Sequence, residues 1–201
     1  MSELRADLAI ISEWIEPGSR VLDLGCGDGA LLKYLQEERG VSGYGLEIDP
    51  ANVVACIRNG VDVIQTDLDA GLNDFDPDSF DYVVMTHTLQ AVSYPHRLIS
   101  EMLRIGRQGI VTFPNFGYWR VRLQLALKGR MPMSGALPHK WYDTPNIRLC
   151  TLRDFEALCR QQGIRILERR VLDHAHHEQA FSRLLPNLLG EIAMYRFERA
   201  A

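Results

Sequence analysis

The run Val21-Leu22-Asp23-Leu24-Gly25-Cys26-Gly27-Asp28-Gly29 constrains this chain more than any other stretch. Residues 20–24 read as a short buried strand. Three glycines at alternate positions then let the backbone turn tightly and approach a ligand closely. Residues 30–39 follow as a helix, with Leu31, Leu32 and Leu35 inward and Gly40 as its C-cap. A strand that passes through such a turn into a helix opens a βαβ unit, and the rest of the chain must then supply its sheet.

It does so by strict alternation. Leu4, Leu8, Ile11 and Ile15 have helical spacing and are stopped by Pro17-Gly18. Further strands are expected at 43–48, 61–65, 80–85, 109–113, 164–172 and 193–198. Helices are expected from Pro50 (with Val53, Val54 and Ile57), at 95–104 and at 152–162, and Asp76-Pro77-Asp78 marks a turn. The chain has 201 residues and shows no repeat, low-complexity tract or linker. A single α/β domain over 1–201, with a mostly parallel sheet, follows.

The turn alone is ambiguous, because Gly25-Cys26-Gly27-Asp28-Gly29-Ala30 also fits the dinucleotide pattern G-x-G-x-x-A. Charge helps to decide. A dinucleotide brings a pyrophosphate to the helix N-terminus, but here Asp23 precedes the turn and Asp28 lies inside it. Carboxylates suit a ligand with an ammonium or sulfonium centre. S-adenosylmethionine has both and no phosphate. Glu47 at the second strand end is placed to accept from ribose hydroxyls. Ile48 can pack on a purine, and Asp67 after the third strand can accept from an adenine amine. Cys26 reads as a small close-packed residue lining that pocket, since Asp23 and Asp28 oppose a reactive thiolate.

In this order the residues resemble class I S-adenosylmethionine-dependent methyltransferases. The resemblance implies a three-layer Rossmann-like fold whose seven-stranded, mostly parallel sheet has an antiparallel last strand. It implies S-adenosylmethionine or S-adenosylhomocysteine as cofactor, held by Asp23, Gly25, Cys26, Gly27, Glu47, Ile48, Asp67 and Leu68. Thr86 would border the methyl-donor end.

Several chemistries are disfavoured. Met85-Thr86-His87-Thr88-Leu89-Gln90 replaces the Asn/Asp-Pro-Pro-aromatic string of nucleic-acid N-methyltransferases, and no Pro-Cys nucleophile pair is present. His87 has a pKa range suited to a base, but a hydrogen-bonded structural role is the plainer reading, so no catalytic residue is assigned. His174, His176 and His177 beside Glu178 read as an exposed loop, and no metal is expected. The scattered Cys26, Cys56, Cys150 and Cys159 read as reduced thiols. A net charge of −4 gives no global case for nucleic acid or an anionic membrane. No apolar run approaches the roughly 20 residues of a membrane span. Glu3, Arg5, Asp7 and Glu13 break up any secretory signal, so a cytoplasmic location is expected.

Residues 114–148 interrupt the alternation. They carry six basic residues against one acid, together with Phe116, Tyr118, Trp119, Trp141 and Tyr142. Residues 117–128 can form a helix with Trp119, Leu123 and Leu127 on one face and Arg120, Gln124 and Lys128 on another. Such a helix either closes the fold or offers a contact surface, and the surface would involve Trp119, Arg120, Arg122, Arg130 and Trp141. RNA is a weaker occupant, because no RNA-binding module accompanies it.

Within and around this insertion, Phe113-Pro114-Asn115-Phe116-Gly117, Gly129-Arg130-Met131-Pro132, Trp141-Tyr142-Asp143-Thr144-Pro145-Asn146 and Arg153-Asp154-Phe155 resemble the bacterial MetW family. Gly45-Leu46-Glu47-Ile48-Asp49 and Thr88-Leu89-Gln90 do so as well. This resemblance implies a role in methionine synthesis. The implied partner is a homoserine O-acyltransferase, usually the O-succinyltransferase, which the protein would support or activate. The alternative is methyl transfer to a small molecule, and a third option is a scaffold that needs no cofactor.

Overall fold

The computed structural model describes residues 6–173 and 184–200. Helix α1 (Ala6–Trp14) leads into β1 (Arg20–Leu24), α2 (Ala30–Arg39), β2 (Ser42–Glu47), α3 (Pro50–Arg58) and β3 (Val63–Gln65). A single 3-10 turn (Leu68–Ala70) precedes β4 (Phe80–Thr86), α4 (Pro95–Ile105), β5 (Gly106–Pro114) and α5 (Trp119–Lys128). Helix α6 (Leu152–Gln161), β6 (Ile164–Leu172), α7 (Pro186–Leu189) and β7 (Ile192–Arg199) complete it.

The seven strands form one sheet in the order β3-β2-β1-β4-β5-β7-β6. The pairs from β3 to β5 are parallel, and β7 runs antiparallel to both β5 and β6. This is the expected three-layer arrangement with its antiparallel last strand. Side chains alternate across the strands and so build two cores. Leu22, Leu24, Val83 and Met85 pack with Leu98, Ile99 and Met102 of α4 and Phe155 of α6. On the other face Val21, Tyr82 and Val84 pack with Ile11 of α1, Ile15 just past its end, and Leu31, Leu32 and Leu35 of α2. Each fully buried leucine or isoleucine contributes roughly 1.5–3 kcal/mol.

Local chemistry sets the element ends. Asp49 caps α3 by accepting from the Ala51 N–H at 2.9 Å, with Pro50 in the first turn. Thr151 and Asp154 form a reciprocal capping box on α6. Strand β3 is shorter than expected because the Val61 N–H closes the end of α3 on the Cys56 carbonyl at 3.0 Å. Helix α5 starts two residues late: the Asn115 side chain accepts from the Gly117 N–H at 2.9 Å, which fixes a turn first. The 3-10 turn and α7, three and four residues long, were too short to carry a periodic pattern. Among the described residues no helix is long and apolar enough to cross a membrane. His174, His176, His177 and Glu178 lie outside the described residues.

Candidate functional site

Strand order reverses direction between β1 and β4, and ligands in open α/β sheets settle at the carboxyl ends of strands around such a point. A cleft of about 270 Å³ lies there, walled by Gly25, Glu47, Ile48, Asp67, Leu68, His87 and Thr88 among others. Pro145 and Asn146 of the insertion also line it.

The glycine turn is held from behind. The N–H groups of Gly25 and Cys26 donate to the Leu46 carbonyl at 2.8 and 3.1 Å. Gly25 has φ +72, and a Cβ there would sit 2.5 Å from Thr88 Oγ1. Gly27 has φ +57 and open space where its Cβ would be. Its N–H donates to Glu47 Oε2 at 2.8 Å, while Glu47 Oε1 accepts from the Ile48 and Asp49 N–H groups, both at 2.9 Å. Glu47 is therefore a strut for the turn as well as part of the cleft wall. Three of about four acceptor directions are used, leaving about one for a ligand hydroxyl rather than the two expected.

Of the remaining acids, Asp67 lines the cleft and Asp23 does not. Asp67 accepts from the Asp69 N–H through Oδ1 at 2.9 Å, which keeps its second oxygen for a ligand amine. Ile48 is 60% exposed at the rim, an apolar surface suited to a planar ring. Asp23 lies buried beneath the turn, and its Oδ1 has no partner among the described residues. Burial, then the negative Glu47, push its carboxyl up to about 7. A buried acceptor without a donor costs about 1–3 kcal/mol, which a cationic N–H entering from the cleft would recover. These features fit the nucleoside ligand with an ammonium group that the sequence pointed to.

Four expected residues, Asp23, Cys26, Gly27 and Thr86, do not line the cleft: Asp23 lies beneath the turn, and Gly27 reaches the site only through its bond to Glu47. The Cys26 thiol packs where a Cβ of Gly45 would be and lies 3.7 Å from Cys56 Sγ, so it supports the turn from the core and does not line the cleft. Burial, then Asp23, hold that thiol above its ordinary range, which makes it unreactive. Thr86 ends β4 but does not line the cleft; its carbonyl accepts from Thr88 Oγ1 at 3.0 Å. His87 and Thr88 take that wall instead.

His87 adopts φ +54, unusual for a residue other than glycine, and its N–H donates to the Thr112 carbonyl at 3.0 Å. Its Nε2 lies 3.4 Å from Asp7 Oδ2, and the two side chains are 31% and 0% exposed. The Asp7 contact was missed from sequence. An acid in helical register with the inward Ile11 and Ile15 was the available signal.

The structure divides the expected contact residues. Arg130 and Trp141 line an open groove of about 640 Å³ with Met131, Met133, Lys140 and Tyr142. Trp141 is 73% exposed, and the Lys140 ammonium sits 5.6 Å from the Tyr142 ring centre. Arg120 lies over Trp119 at 5.4 Å. Arg122 belongs elsewhere: its Nε donates to the Gly117 carbonyl at 2.5 Å, and it lines a separate cavity with Arg153, Glu156 and Arg169. Helix α5 inserts only Val121 into a small cluster with Tyr118 and Leu137. Its Trp119, Leu123 and Leu127 face stays exposed, so it does not close the core.

Comparison with known proteins supplies a context for this geometry. A family model described as methionine biosynthesis protein MetW matches residues 5–197. A protein of Rhodopirellula baltica, described as bifunctional methionine biosynthesis protein MetXA/MetW, is 38% identical over 205 residues. That match takes in 98% of this chain, which spans about a third (33%) of the relative's length. Among solved structures, a SAM-dependent methyltransferase from Archaeoglobus fulgidus aligns with TM-score 0.73 and 15% identity, over 98% of this chain and 93% of its own. An S-adenosylmethionine-dependent methyltransferase from Mesorhizobium loti aligns with TM-score 0.70 and 16% identity, over 96% and 98%. The cyclase SpnF aligns with TM-score 0.66 and 19% identity, over 98% and 80%. At these identities the structures show the shared fold alone, and the fold hosts more than one chemistry.

Proposed function

The chain belongs to the MetW family of methionine biosynthesis proteins, and we propose that it acts there as a nucleoside-binding partner that supports a homoserine O-acyltransferase. The observation that carries this reading is the Rhodopirellula relative, whose description joins a MetXA to a MetW in one protein. We read MetXA as the acyltransferase implied by the sequence resemblance. Joining two parts in one chain holds them at high effective concentration, an arrangement that suits parts that work in contact. In this reading the chain works in the bacterial cytoplasm, with neither nucleic acid nor membrane as a partner.

The exposed groove of Arg130, Lys140, Trp141 and Tyr142 is the surface proposed for that contact. Aromatic and arginine side chains favour interfaces, and the insertion's basic surplus selects an acidic partner patch. The ligand proposed for the cleft is S-adenosylmethionine or S-adenosylhomocysteine, with Glu47 and Asp67 on its hydroxyl and amine groups and the buried, unpartnered Asp23 beneath the turn as the charge complement of its ammonium end. S-adenosylmethionine lies downstream of methionine, so the cleft would let the complex sense supply of the pathway's product. Size-exclusion chromatography of the chain mixed with its cognate acyltransferase tests the partner reading. A co-eluting complex at tens of micromolar is expected, and separate elution contradicts it.

A second reading, methyl transfer to a small molecule, is favoured by one observation. His87 lines the cleft with its imidazole held by the buried Asp7, an arrangement in which a carboxylate orients a proton acceptor. It predicts S-adenosylhomocysteine formation dependent on a metabolite of the cell extract. No turnover across a broad metabolite screen, with the cofactor bound, counts against it.

A further inference from the structure

The cleft and the aromatic groove are two ends of one segment. Trp141 and Tyr142 line the groove, and Pro145 and Asn146, three and four residues beyond Tyr142, line the cleft. Three residues span at most about 10 Å, so neither end can shift far without the other. The segment is pinned just past the cleft, where the N–H groups of Ile147 and Arg148 donate to the Gln90 carbonyl at 2.8 and 3.0 Å. Gln90 is itself buried, and its Nε2 donates to the Pro114 carbonyl at 2.9 Å.

A second line of hydrogen bonds reaches the acids of the cleft. The Arg148 guanidinium donates through Nε and Nη2 to the Ser93 carbonyl, each at 3.1 Å. The Ser93 N–H donates to the two Asp69 carboxylate oxygens at 2.8 and 3.1 Å. The Asp69 N–H then donates to Asp67 Oδ1. An unbroken path thus runs from the proposed amine acceptor, through the wall of the cleft, to the root of the insertion.

We infer that Pro145 and Asn146 are part of the nucleoside site, and that filling the cleft is thermodynamically linked to engagement of the Trp141 groove. The inference rests on the partner and ligand reading above and adds the residues that connect them. A ligand touching Pro145 and Asn146 holds the segment in the arrangement seen, so Trp141 and Tyr142 meet the partner already ordered and lose less freedom on binding. The linkage is therefore positive and reciprocal: ligand tightens the complex by the factor by which the partner tightens ligand binding. Arg148 acts as a positioning residue in this path.

S-adenosylhomocysteine is the probe, and two measurements decide the matter. Amide hydrogen exchange on the chain alone should show the Ile147 and Arg148 amides at least fivefold better protected at saturating probe. With the cognate acyltransferase, saturating probe should tighten the complex about fivefold or more, and Arg148→Ala should bring that factor below two. Unchanged protection of both amides overturns the inference. A complex whose affinity moves less than twofold, or weakens, with probe also overturns it while leaving the partner reading standing. Absence of any complex contradicts the partner reading and this inference with it.

Discussion

The Gly27 N–H donates to Glu47 Oε2 at 2.8 Å, tying the glycine turn to the end of β2 by a side chain at the rim of the cleft. One carboxylate therefore shapes the turn and lines the cleft in which the nucleoside is proposed to sit. Glu47→Ala leaves the N–H groups of Gly27, Ile48 and Asp49 without their acceptor. It should lower folding stability by about 1–3 kcal/mol and weaken S-adenosylhomocysteine binding about tenfold or more. Urea unfolding and calorimetric titration measure the two effects, and an unchanged dissociation constant contradicts the placement of the nucleoside.

Asp23 makes stability and binding depend on pH. Its carboxyl titrates at about 7 in the fold and near 3.9 in the unfolded chain, so the native state holds the extra proton between these values. Its contribution to stability is therefore lost as pH rises from about 4 to about 7 and is level above that. Asp23→Asn should remove this slope, seen as the difference between wild-type and variant unfolding at pH 5 and pH 7.5. A ligand ammonium beside Asp23 favours the ionised form, so binding at pH 6 should release up to about one proton. Titrations in buffers of different ionisation heat count it, and proton uptake contradicts the proposed orientation.

The Gly25–Thr88 contact should be non-additive. In Gly25→Ala the new Cβ meets Thr88 Oγ1 at 2.5 Å in a backbone conformation that strains it, at a cost of about 1–3 kcal/mol. Thr88→Ala removes the two closest atoms. The double variant should recover about 1 kcal/mol relative to the sum of the singles, read from unfolding free energies. Strict additivity would mean that the turn relaxes away from Thr88.

The groove and Arg122 should separate in binding. Trp141→Ala and Arg130→Glu should each weaken the acyltransferase complex about tenfold or more, as expected for a central aromatic and a charge facing an acidic patch. Arg122→Glu, which alters a side chain bonded to Gly117, should weaken it less than threefold at equal folded fraction, on the scale of a residue outside the interface core. Surface-bound acyltransferase titrated with each variant gives the three constants. A larger loss at Arg122 than at Trp141 would move the contact to the cavity that Arg122 lines with Arg153, Glu156 and Arg169.

Much of this architecture was legible because its determinants are local. Residues 20–24, 30–39 and 164–172 occupy the expected spans, since turn glycines and apolar periodicity fix their ends. The cleft position followed from the glycine turn and from acids at strand ends, a pattern set by topology. What was not legible depends on contacts far apart in sequence. Nothing near Glu47 announces that its carboxylate is mostly occupied by backbone amides, and nothing near Cys26 reveals that its thiol packs against Gly45 and Cys56. The helical spacing of Trp119, Leu123 and Leu127 says that they share a face but not what covers it. Arg122 and Arg130 look alike in sequence and differ because one is bonded to Gly117 and the other lines the groove.

The central claim is support of acylation, and the most direct test is the rate at which the cognate homoserine O-acyltransferase acylates homoserine with increasing amounts of this chain. A large increase that saturates near equal stoichiometry is predicted, and it should shrink in Trp141→Ala. An acylation rate that is the same with and without the chain contradicts the account.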